Sequence, residues 1–376
     1  MIIIKKKIKK PKVIVAMSGG VDSSVSAWLL KEKNYQVEGL FMKNWEEEDN
    51  SEYCGSKKDL KDAKLVCKQL DIYLHTINFS LEYWNYVFKI FLSEHKSGRT
   101  PNPDILCNKE IKFKFFLNFS IKVLKADFIA TGHYVRKKEI LGNTYLLKGK
   151  DKKKDQSYFL YSITNYALRK TLFPLGNLYK KKVRKIARNL NLVVAEKKDS
   201  TGICFINPKN FKLFIKKYLP IKKGSIISVE NEFLGKHTGL VNYTIGQRKG
   251  IKIGGKKNFS SEPWYVVKKN ISTNSLVVAQ GINNIYLMST GCLVERLSWF
   301  NKNKVFISLK CKVKIRYQQE NINCEINKLS HDLIIVKFEK PISSVTPGQS
   351  AVFYLKSICL GGGVIKKRIA LKKINV

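Results

Sequence analysis

One glycine-containing loop is the first feature of this chain whose residue types and spacing could do chemistry. It reads Ser18-Gly19-Gly20-Val21-Asp22-Ser23-Ser24, and it lies between a short apolar run and an amphipathic stretch. At a strand-to-helix turn, backbone N–H groups and the helix dipole attract an anion, and glycines let the backbone approach a phosphate closely. The Gly-Lys-Ser/Thr ending of kinase and GTPase loops is absent. The sequence therefore predicts a nucleotide site, and the alternative is a plain turn capped by Ser18 or Asp22.

The second candidate is Cys107, which follows a proline-stiffened loop. The segment reads Arg99-Thr-Pro-Asn-Pro-Asp-Ile-Leu-Cys-Asn-Lys109, and an apolar-periodic stretch, 111–119, comes after it. A thiol near a helix N-terminus and beside Lys109 and Lys112 is expected to have a lowered pKa and a larger thiolate fraction. We predict that Cys107 is a nucleophile, and the alternative is a buried small hydrophobic residue. Asp104, three residues before Cys107, either accepts a proton or orients the nucleophile, and the alternative is a turn residue that caps the helix.

The third candidate is Cys204, in the polar segment Asp199-Ser-Thr-Gly-Ile-Cys204. Taken alone, such a cysteine belongs more often to a core. No CxxC pair or zinc-type Cys/His spacing occurs, so we expect no metal site and a reduced, cytoplasmic protein. We predict structural roles for the remaining cysteines, Cys54, Cys67, Cys292, Cys311, Cys324 and Cys359.

The elements that must position these residues alternate between strands and helices. The run at 12–17 is apolar and β-branched, which is typical of a buried parallel strand. The alternation predicts an α/β fold with a doubly wound, Rossmann-like parallel sheet. The predicted strands span 12–17, 36–41, 73–79 and 128–131, and the predicted helices span 21–33, 60–70 and 81–94.

From about residue 221 the pattern changes to short strands interrupted by Gly, Asn and Pro. Such spacing predicts a C-terminal antiparallel β-barrel, reached through a small connector domain that has a helical piece at 209–219 and loops at 236–255. At about 150 residues per domain, we predict domains at 1–210, 211–278 and 279–376. The predicted strands span 225–229, 264–268, 275–279, 305–308, 310–317, 333–338 and 351–354.

Charge and hydropathy narrow the class of protein. Lys and Arg number 70 against 29 Asp and Glu, a net charge of +41, which favours a polyanionic partner. Only nine of the basic residues are Arg, so a mutational bias toward lysine codons is an alternative source of the charge. No apolar run reaches 18 residues, and the chain does not start like a secretory signal. We expect a protein without a membrane span.

Several strings together resemble one family, the bacterial tRNA-specific 2-thiouridylases, whose first domain is an ATP-pyrophosphatase with a pyrophosphate-binding loop. The resemblance runs in order through nearly the whole chain. The strings are Ser-Gly-Gly-Val-Asp-Ser, Thr-Pro-Asn-Pro-Asp-Ile-Leu-Cys-Asn, Ala-Thr-Gly-His-Tyr, Lys-Asp-Gln-Ser-Tyr-Phe-Leu, Thr-Gly-Ile-Cys-Phe-Ile, Thr-Ile-Gly-Gln-Arg-Lys-Gly, Arg-Tyr and Thr-Pro-Gly-Gln.

The resemblance implies an ATP-dependent sulfurtransferase. In that family ATP, with Mg²⁺, adenylates the C2 oxygen of a tRNA wobble uridine. A persulfide on the second cysteine, here Cys204, supplies sulfur, and Cys107 is the nucleophile that ends paired with Cys204 in a disulfide. Ala16 stands where the family usually has glycine. The implied ATP contacts are Ala16, Met17, Ser18, Gly19, Gly20, Val21, Asp22, Ser23, Met42 and Gly132.

The resemblance also implies the tRNAs for Lys, Glu and Gln as substrates, a persulfide relay protein or cysteine desulfurase as sulfur source, and a monomer. His133 has a core histidine as its alternative reading. The implied contacts with the target base are Asn102, Pro103 and Asp104, and those with tRNA are His133, Lys154, Asp155, Gln156, Arg316, Tyr317 and Gln349.

Two other readings stay open from the residues alone. One is an ATP-pyrophosphatase that joins nitrogen, which needs no paired thiols. The other is a basic RNA-binding protein with an unused nucleotide loop, which would bind tRNA with a steep salt dependence and release no AMP.

Overall fold

The computed structural model describes residues 10–46, 55–199, 211–254, 259–301 and 307–374. The described parts form two compact units. The first contains 1–87 and 104–205, and the second contains 88–103 and 206–376. The helices are α1 Val21–Glu32, α2 Gly55–Gln69, α3 Ser80–Tyr83, α4 Lys89–Lys96, α5 Pro103–Leu106, α6 Leu117–Lys122, α7 Asn165–Arg169, α8 Lys180–Asn189 and α9 Phe211–Lys216.

A five-stranded parallel sheet is the centre of the first unit. Its order is β3-β2-β1-β4-β7, and every neighbouring pair is parallel. Val13, Ile14 and Val15 are all fully buried, so both faces of the central strand are covered. The predicted parallel α/β fold is confirmed. The strands of this unit are β1 Lys12–Ala16, β2 Gln36–Lys43, β3 Leu74–Asn78, β4 Phe128–Ala130, β5 Val135–Ile140, β6 Asn143–Lys148 and β7 Thr171–Leu172.

Three helices pack on this sheet through short apolar faces. Val25 of α1, Val66 of α2 and Val183 of α8 are fully buried in one core with the sheet residues. Helix α8 was not predicted, because its sequence, KKKVRKIARN, is dominated by lysine and arginine and buries only Val183 and Ala187. The predicted helix at 81–94 is also divided, because a π-helical turn, Trp84–Phe88, separates α3 from α4.

Strands β5 and β6 form an antiparallel hairpin that sequence reasoning missed. The strand β5 reads Val-Arg-Lys-Lys-Glu-Ile, whose charges hide the strand pattern. Leu141 and Gly142 connect the strands with φ angles of 49° and 74°, which is the left-handed pair that a type I′ turn requires.

The connector part of the second unit is a four-stranded sheet of order β10-β11-β8-β9. Neighbours β8 and β11 run parallel, and the other two pairs are antiparallel. Ile226, Val266 and Leu276 are at most 1% exposed and form its apolar core. The strands are β8 Gly224–Ser228, β9 Phe233–His237, β10 Trp264–Asn270 and β11 Ser275–Gln280.

The C-terminal part of the second unit is a closed antiparallel barrel, as predicted. Its order is β12-β15-β14-β13-β16-β17, and β12 pairs with β17 to close it. Strand β17 carries Gly361-Gly362-Gly363, where a Cβ on Gly361 would lie 2.1 Å from the Ser298 carbonyl oxygen. The strands are β12 Met288–Trp299, β13 Ser308–Lys314, β14 Ile322–Ser330, β15 Leu333–Ser343, β16 Ser350–Leu355 and β17 Ile358–Ala370.

Sequence reasoning missed β12, β14 and β17, and the first half of the predicted strand at 305–308 falls outside the described residues. The cysteines assigned structural roles are buried where the structure describes them, at Cys67, Cys292, Cys311, Cys324 and Cys359. Cys311 and Cys324 face each other across β13 and β14 with 3.7 Å between their Sγ atoms. Cys54 lies outside the described residues. No helix in the described ranges is long and apolar enough to cross a membrane.

Candidate functional site

The glycine-containing loop lies at the carboxyl edge of the parallel sheet. Strand β1 ends at Ala16, and helix α1 begins at Val21. The neighbouring strands β2 and β4 bring Met42 and Gly132 to the same edge. The chain order reverses between β1 and β4, which is the place where open α/β sheets bind ligands. The predicted nucleotide contacts are therefore brought together.

Two glycines fix the shape of the loop. Gly19 has a φ of +66°, and a Cβ there would lie 2.2 Å from the Asp59 carbonyl oxygen. A Cβ on Gly132 would lie 3.0 Å from the backbone nitrogen of Ser23. Side chains at these positions would displace the loop. Gly20 is the N-cap of α1 and makes no side-chain cap, so the start of the helix fits an anion such as the phosphates of ATP.

Serine hydroxyls brace the loop from within. The Ser23 hydroxyl donates to the Gly20 carbonyl oxygen at 3.0 Å and accepts from the Ser18 backbone N–H at 3.3 Å. The Ser24 hydroxyl donates to the same carbonyl at 2.8 Å. These bonds tie the turn to the first turn of α1.

A half-buried charge network surrounds Asp22. The Tyr134 hydroxyl donates to its carboxylate at 2.7 Å, and the Lys180 ammonium donates to both oxygens at 2.7 and 2.8 Å. Burial, together with the Asp22 charge, raises the pKa of Tyr134, so its hydroxyl keeps its proton. Lys180 also pairs with Asp199 at 2.8 Å. Lys180 therefore links Asp22, in the first turn of α1, to Asp199.

Asp199 collects three cations. Lys154 donates to it at 2.7 Å and Arg184 at 2.8 Å, in addition to the Lys180 pair. Burial opposes ionisation, but the bonds from Lys154 and Lys180 prevail and lower the pKa of Asp199 to about 2. Asp199 is ionised at neutral pH. Cys204, the predicted persulfide residue, lies outside the described residues.

Cys107 starts a π-helical segment, Cys107–Phe116, that continues directly from α5. Its side chain is 1% exposed. Lys109, which the sequence places beside the thiol, pairs with the Glu110 carboxylate at 3.5 Å. Burial raises the pKa of the Asp104 carboxyl, and the Lys112 charge opposes this. A carboxyl with a raised pKa is a stronger proton acceptor than an ordinary aspartate when it is ionised.

His133 is buried at the end of β4. Its Nδ1 lies 2.9 Å from the Thr131 hydroxyl, and its ring lies 5.8 Å from the Phe113 ring. Burial and then the charge of Lys112 hold the pKa of His133 well below its ordinary value. The imidazole is neutral at pH 7, so it can donate or accept hydrogen bonds but brings no charge to a phosphate.

The Lys154-Asp155-Gln156 motif braces the first unit. The Asp155 carboxylate is buried and accepts from the backbone N–H groups of Gly149 and Ser157, both at 3.1 Å. The Gln156 side-chain oxygen accepts from the Tyr134 N–H at 2.9 Å. The Lys154 ammonium is bound to Asp199. The motif holds Tyr134, and through its hydroxyl it supports Asp22.

In the second unit, Arg316 joins two turns. Its Nη2 donates to the carbonyl oxygens of Ile245 and Ser344 at 2.6 and 3.1 Å and to the Thr346 hydroxyl at 3.0 Å. Ile245 belongs to the connector, and Ser344 and Thr346 belong to the barrel. Arg316 was predicted to contact tRNA, and in the structure its guanidinium holds the connector against the barrel.

We expect Arg316→Met to destabilise the second unit, because two carbonyl oxygens and a hydroxyl lose a charged donor. The midpoint of thermal unfolding should fall on the order of 5 °C. The control is Lys312→Met, a change at an exposed lysine of the same barrel, which should leave the midpoint unchanged. An unchanged midpoint with a tRNA salt slope smaller by about one would instead favour a phosphate contact.

Gln349 and the base-contact loop meet within the second unit. The Gln349 Nε2 donates to the Thr100 carbonyl oxygen at 2.7 Å, and the Thr100 N–H donates to the Pro347 carbonyl at 2.9 Å. This fixes the start of the Asn102-Pro103 segment, in which Pro103 is buried. Tyr317 is half-buried beside Arg316.

The site uses residues that sequence reasoning missed, namely Tyr134, Lys180, Arg184, Lys197 and Asp199. Lys180 lies 158 positions from Asp22. No local pattern marks such a lysine, since it sits among three consecutive lysines. Of these five, only Tyr134 lies in a string that carried the resemblance, and Asp199 lies two residues before another. In the described part of the chain, no group of three or more His, Cys, Asp or Glu could hold a metal ion.

Three families match consecutive parts of the chain. The tRNA methyl transferase HUP domain matches 11–208, the tRNA methyl transferase PRC-barrel domain matches 212–280, and the aminomethyltransferase beta-barrel domain matches 289–365.

Curated relatives match over nearly their whole length. The tRNA-specific 2-thiouridylase MnmA of Buchnera aphidicola subsp. Acyrthosiphon pisum is 57% identical over 363 residues, covering 96% of this chain and 99% of that protein. The protein of the same name from Enterobacter sp. strain 638 is 56% identical over 363 residues, covering 96% and 98%. Among solved structures, a U34-tRNA thiolase NcsA from Methanococcus maripaludis aligns with a TM-score of 0.35 at 19% identity, over 56% of this chain and 67% of that chain.

Proposed function

The chain belongs to the tRNA-specific 2-thiouridylase family, and from this premise we propose how its own residues replace the C2 oxygen of a tRNA uridine with sulfur. It is an ATP-dependent tRNA sulfurtransferase. The observation that carries the proposal is the meeting of the glycine loop, Met42 and Gly132 at one sheet edge in a chain 57% identical to a named 2-thiouridylase.

The first step is adenylation of the uridine. The C2 oxygen attacks the α-phosphorus of ATP, and pyrophosphate leaves. We propose that the loop from Ser18 to Ser23 and the start of α1 bind the phosphates, because their N–H groups suit a developing negative charge. Mg²⁺ would accompany the phosphates. The step converts a poor leaving oxygen into one that departs as AMP.

The second step is sulfur transfer between two cysteines. The terminal sulfur of a Cys204 persulfide attacks C2, and AMP leaves with the former C2 oxygen. The Cys107 thiolate then attacks the Cys204 sulfur, so the bond to the transferred sulfur breaks and 2-thiouridine is released. A Cys107–Cys204 disulfide forms, and an external thiol reductant restores both thiols. The persulfide comes from a relay protein or a cysteine desulfurase.

We propose that Asp104 serves as the proton acceptor near Cys107. Burial raises the pKa of Asp104, so its carboxylate takes up a proton as the pH decreases through that raised pKa. The thiolation rate should fall over the same pH range. Asp104→Asn should slow thiolation on the order of a hundredfold and remove this acidic limb. The rate is measured against pH with activated tRNA and sulfide. Unchanged turnover in the variant would contradict the role, and Asp71→Asn, at an exposed aspartate, is the control.

Contacts with tRNA divide into two groups. Asn102, Pro103 and Asp104 are proposed to meet the target base, and His133 and Tyr317 are proposed to meet tRNA. A second group makes side-chain hydrogen bonds to the protein itself, and we propose that its main role is to hold the tRNA-binding loops in place. These residues are Asp155, Gln156, Arg316 and Gln349. We propose the tRNAs for Lys, Glu and Gln as substrates, and a cytoplasmic monomer as the working form.

Mass spectrometry of nucleosides tests the activity. Unmodified tRNA is incubated with the protein, ATP, Mg²⁺ and a persulfide donor. The proposal expects a sulfur-for-oxygen mass gain on uridine that requires ATP. AMP release with nitrogen incorporation, or tRNA binding without AMP release, would instead support one of the two alternative activities.

A further inference from the structure

Lys197 contacts the nucleotide loop although it lies 178 positions from Gly19 in the sequence. Its ammonium donates to the Gly19 carbonyl oxygen at 2.8 Å, to Asp59 at 2.7 Å and to Asp62 at 2.5 Å. A lysine ammonium has three N–H donors, so each has an acceptor here. We propose that Lys197 is a positioning residue that sets the Gly19–Gly20 peptide for phosphate binding.

The argument starts from the peptide plane. In a planar trans peptide the carbonyl and the following N–H point in opposite directions. Fixing the Gly19 carbonyl toward Lys197 therefore turns the Gly20 N–H to the other side of the peptide, away from Lys197. Gly19 is also in contact with α2, because a Cβ on it would lie 2.2 Å from the Asp59 carbonyl oxygen. The peptide is held by charge and by packing together.

The second step concerns charge. Asp59 and Asp62 bring two carboxylates to a loop that is to bind a polyphosphate. Lys197 pairs with both, and although burial opposes it, these bonds raise the pKa of Lys197, so it stays charged. Without that cation, two unpaired negative charges would lie close to the loop that is to bind the phosphates. The orientation of the Gly20 N–H and the neutralisation of the two carboxylates both favour binding of the phosphates. Neither should change binding of the nucleoside.

The segment that carries Lys197 is itself anchored. Arg184 of α8 donates to the carbonyl oxygens of Ala195 and Lys197, both at 3.0 Å. The same helix supplies Lys180 to Asp22. Residues 180–199 therefore support the loop at two points, at the Gly19 backbone and at the Asp22 side chain.

The inference rests on the proposed function because it takes ATP as the ligand. Affinities for ATP and for adenosine are measured by calorimetry on the full chain without tRNA. Lys197→Met should weaken ATP binding at least about tenfold and leave adenosine binding within about twofold. Lys197→Arg should recover most of the ATP affinity. The control is Lys198→Met, at the exposed neighbouring lysine, which should bind both ligands as the wild type does.

Equal weakening of both ligands in Lys197→Met would overturn the inference, because a general structural defect would not distinguish them, and so would unchanged ATP affinity. If Lys197→Met does not fold, Lys197→Gln decides, since it keeps an N–H donor without charge and should lose part of the preference for ATP. Wild-type protein that prefers ATP but makes no 2-thiouridine would refute the proposed function and leave this inference standing.

Discussion

Replacing Cys107 with serine is expected to lower the release of 2-thiouridine, measured without added reductant, by at least about a thousandfold, because a hydroxyl cannot break the sulfur–sulfur bond on Cys204. Adenylation of the uridine and attack by the Cys204 persulfide do not need Cys107. The variant should therefore release at most one AMP per protein molecule and retain tRNA as a covalent adduct. That adduct should be released by a thiol reductant, and gel electrophoresis with and without reductant detects it.

Controls separate this chemistry from the loss of a buried thiol. Cys67→Ala removes a buried cysteine of the same unit and should keep turnover. Cys204→Ser should stop thiolation without forming the adduct. Repeated turnovers by Cys107→Ser would contradict the assignment of Cys107 and would favour an activity without paired thiols.

Gly19→Ala is expected to have the largest effect on the nucleotide loop. Its Cβ would lie 2.2 Å from the Asp59 carbonyl oxygen, and its φ of +66° is unfavourable for alanine. The strained backbone and the clash together should lower the free energy of unfolding by about 3 kcal/mol, and ATP affinity should fall at least about tenfold. Denaturant titration and calorimetry measure the two quantities.

Gly142→Ala is the matched control for this change. Gly142 also has a positive φ, of +74°, but a Cβ there meets nothing within 4 Å. Its cost should be only the backbone term, about 1 kcal/mol, with ATP affinity unchanged. Equal effects of the two substitutions on ATP binding would show that the contact with α2 does not shape the loop.

The fold could be predicted where local pattern and burial agree. The apolar run that became β1 and the loop after it have a strong local signal, since three consecutive buried residues indicate a central parallel strand. Helix α8 has no such signal, because tertiary contacts of Val183 and Ala187 outweigh seven polar positions. Hairpin β5–β6 was also missed, because the charged residues of β5 obscure its strand pattern.

The candidate site divides in the same way. Gly19 and Gly20 were singled out because a phosphate loop depends on local backbone, whereas Gly132 was given only by the family resemblance. Lys180 and Lys197 were missed because their partners lie 158 and 178 positions away. The bonds from Arg316 to backbone carbonyls could not be predicted, since sequence shows that a guanidinium is present and not which carbonyls accept from it.

Ion pairs do not explain the net charge of +41. Lys154, Lys180 and Lys197 neutralise aspartates around the nucleotide loop, and such pairs add nothing to the net charge. For the excess among the 61 lysines, a polyanionic partner and compositional bias are the two alternatives that the sequence offers.

Transfer of a labelled oxygen is the most direct test of the central claim, which is ATP-dependent replacement of the uridine C2 oxygen. A tRNA carrying ¹⁸O at C2 of the wobble uridine is converted with ATP and sulfide, and the AMP formed is analysed by mass spectrometry. The account predicts one ¹⁸O in AMP for every 2-thiouridine made. Formation of 2-thiouridine with unlabelled AMP would contradict adenylation of that oxygen.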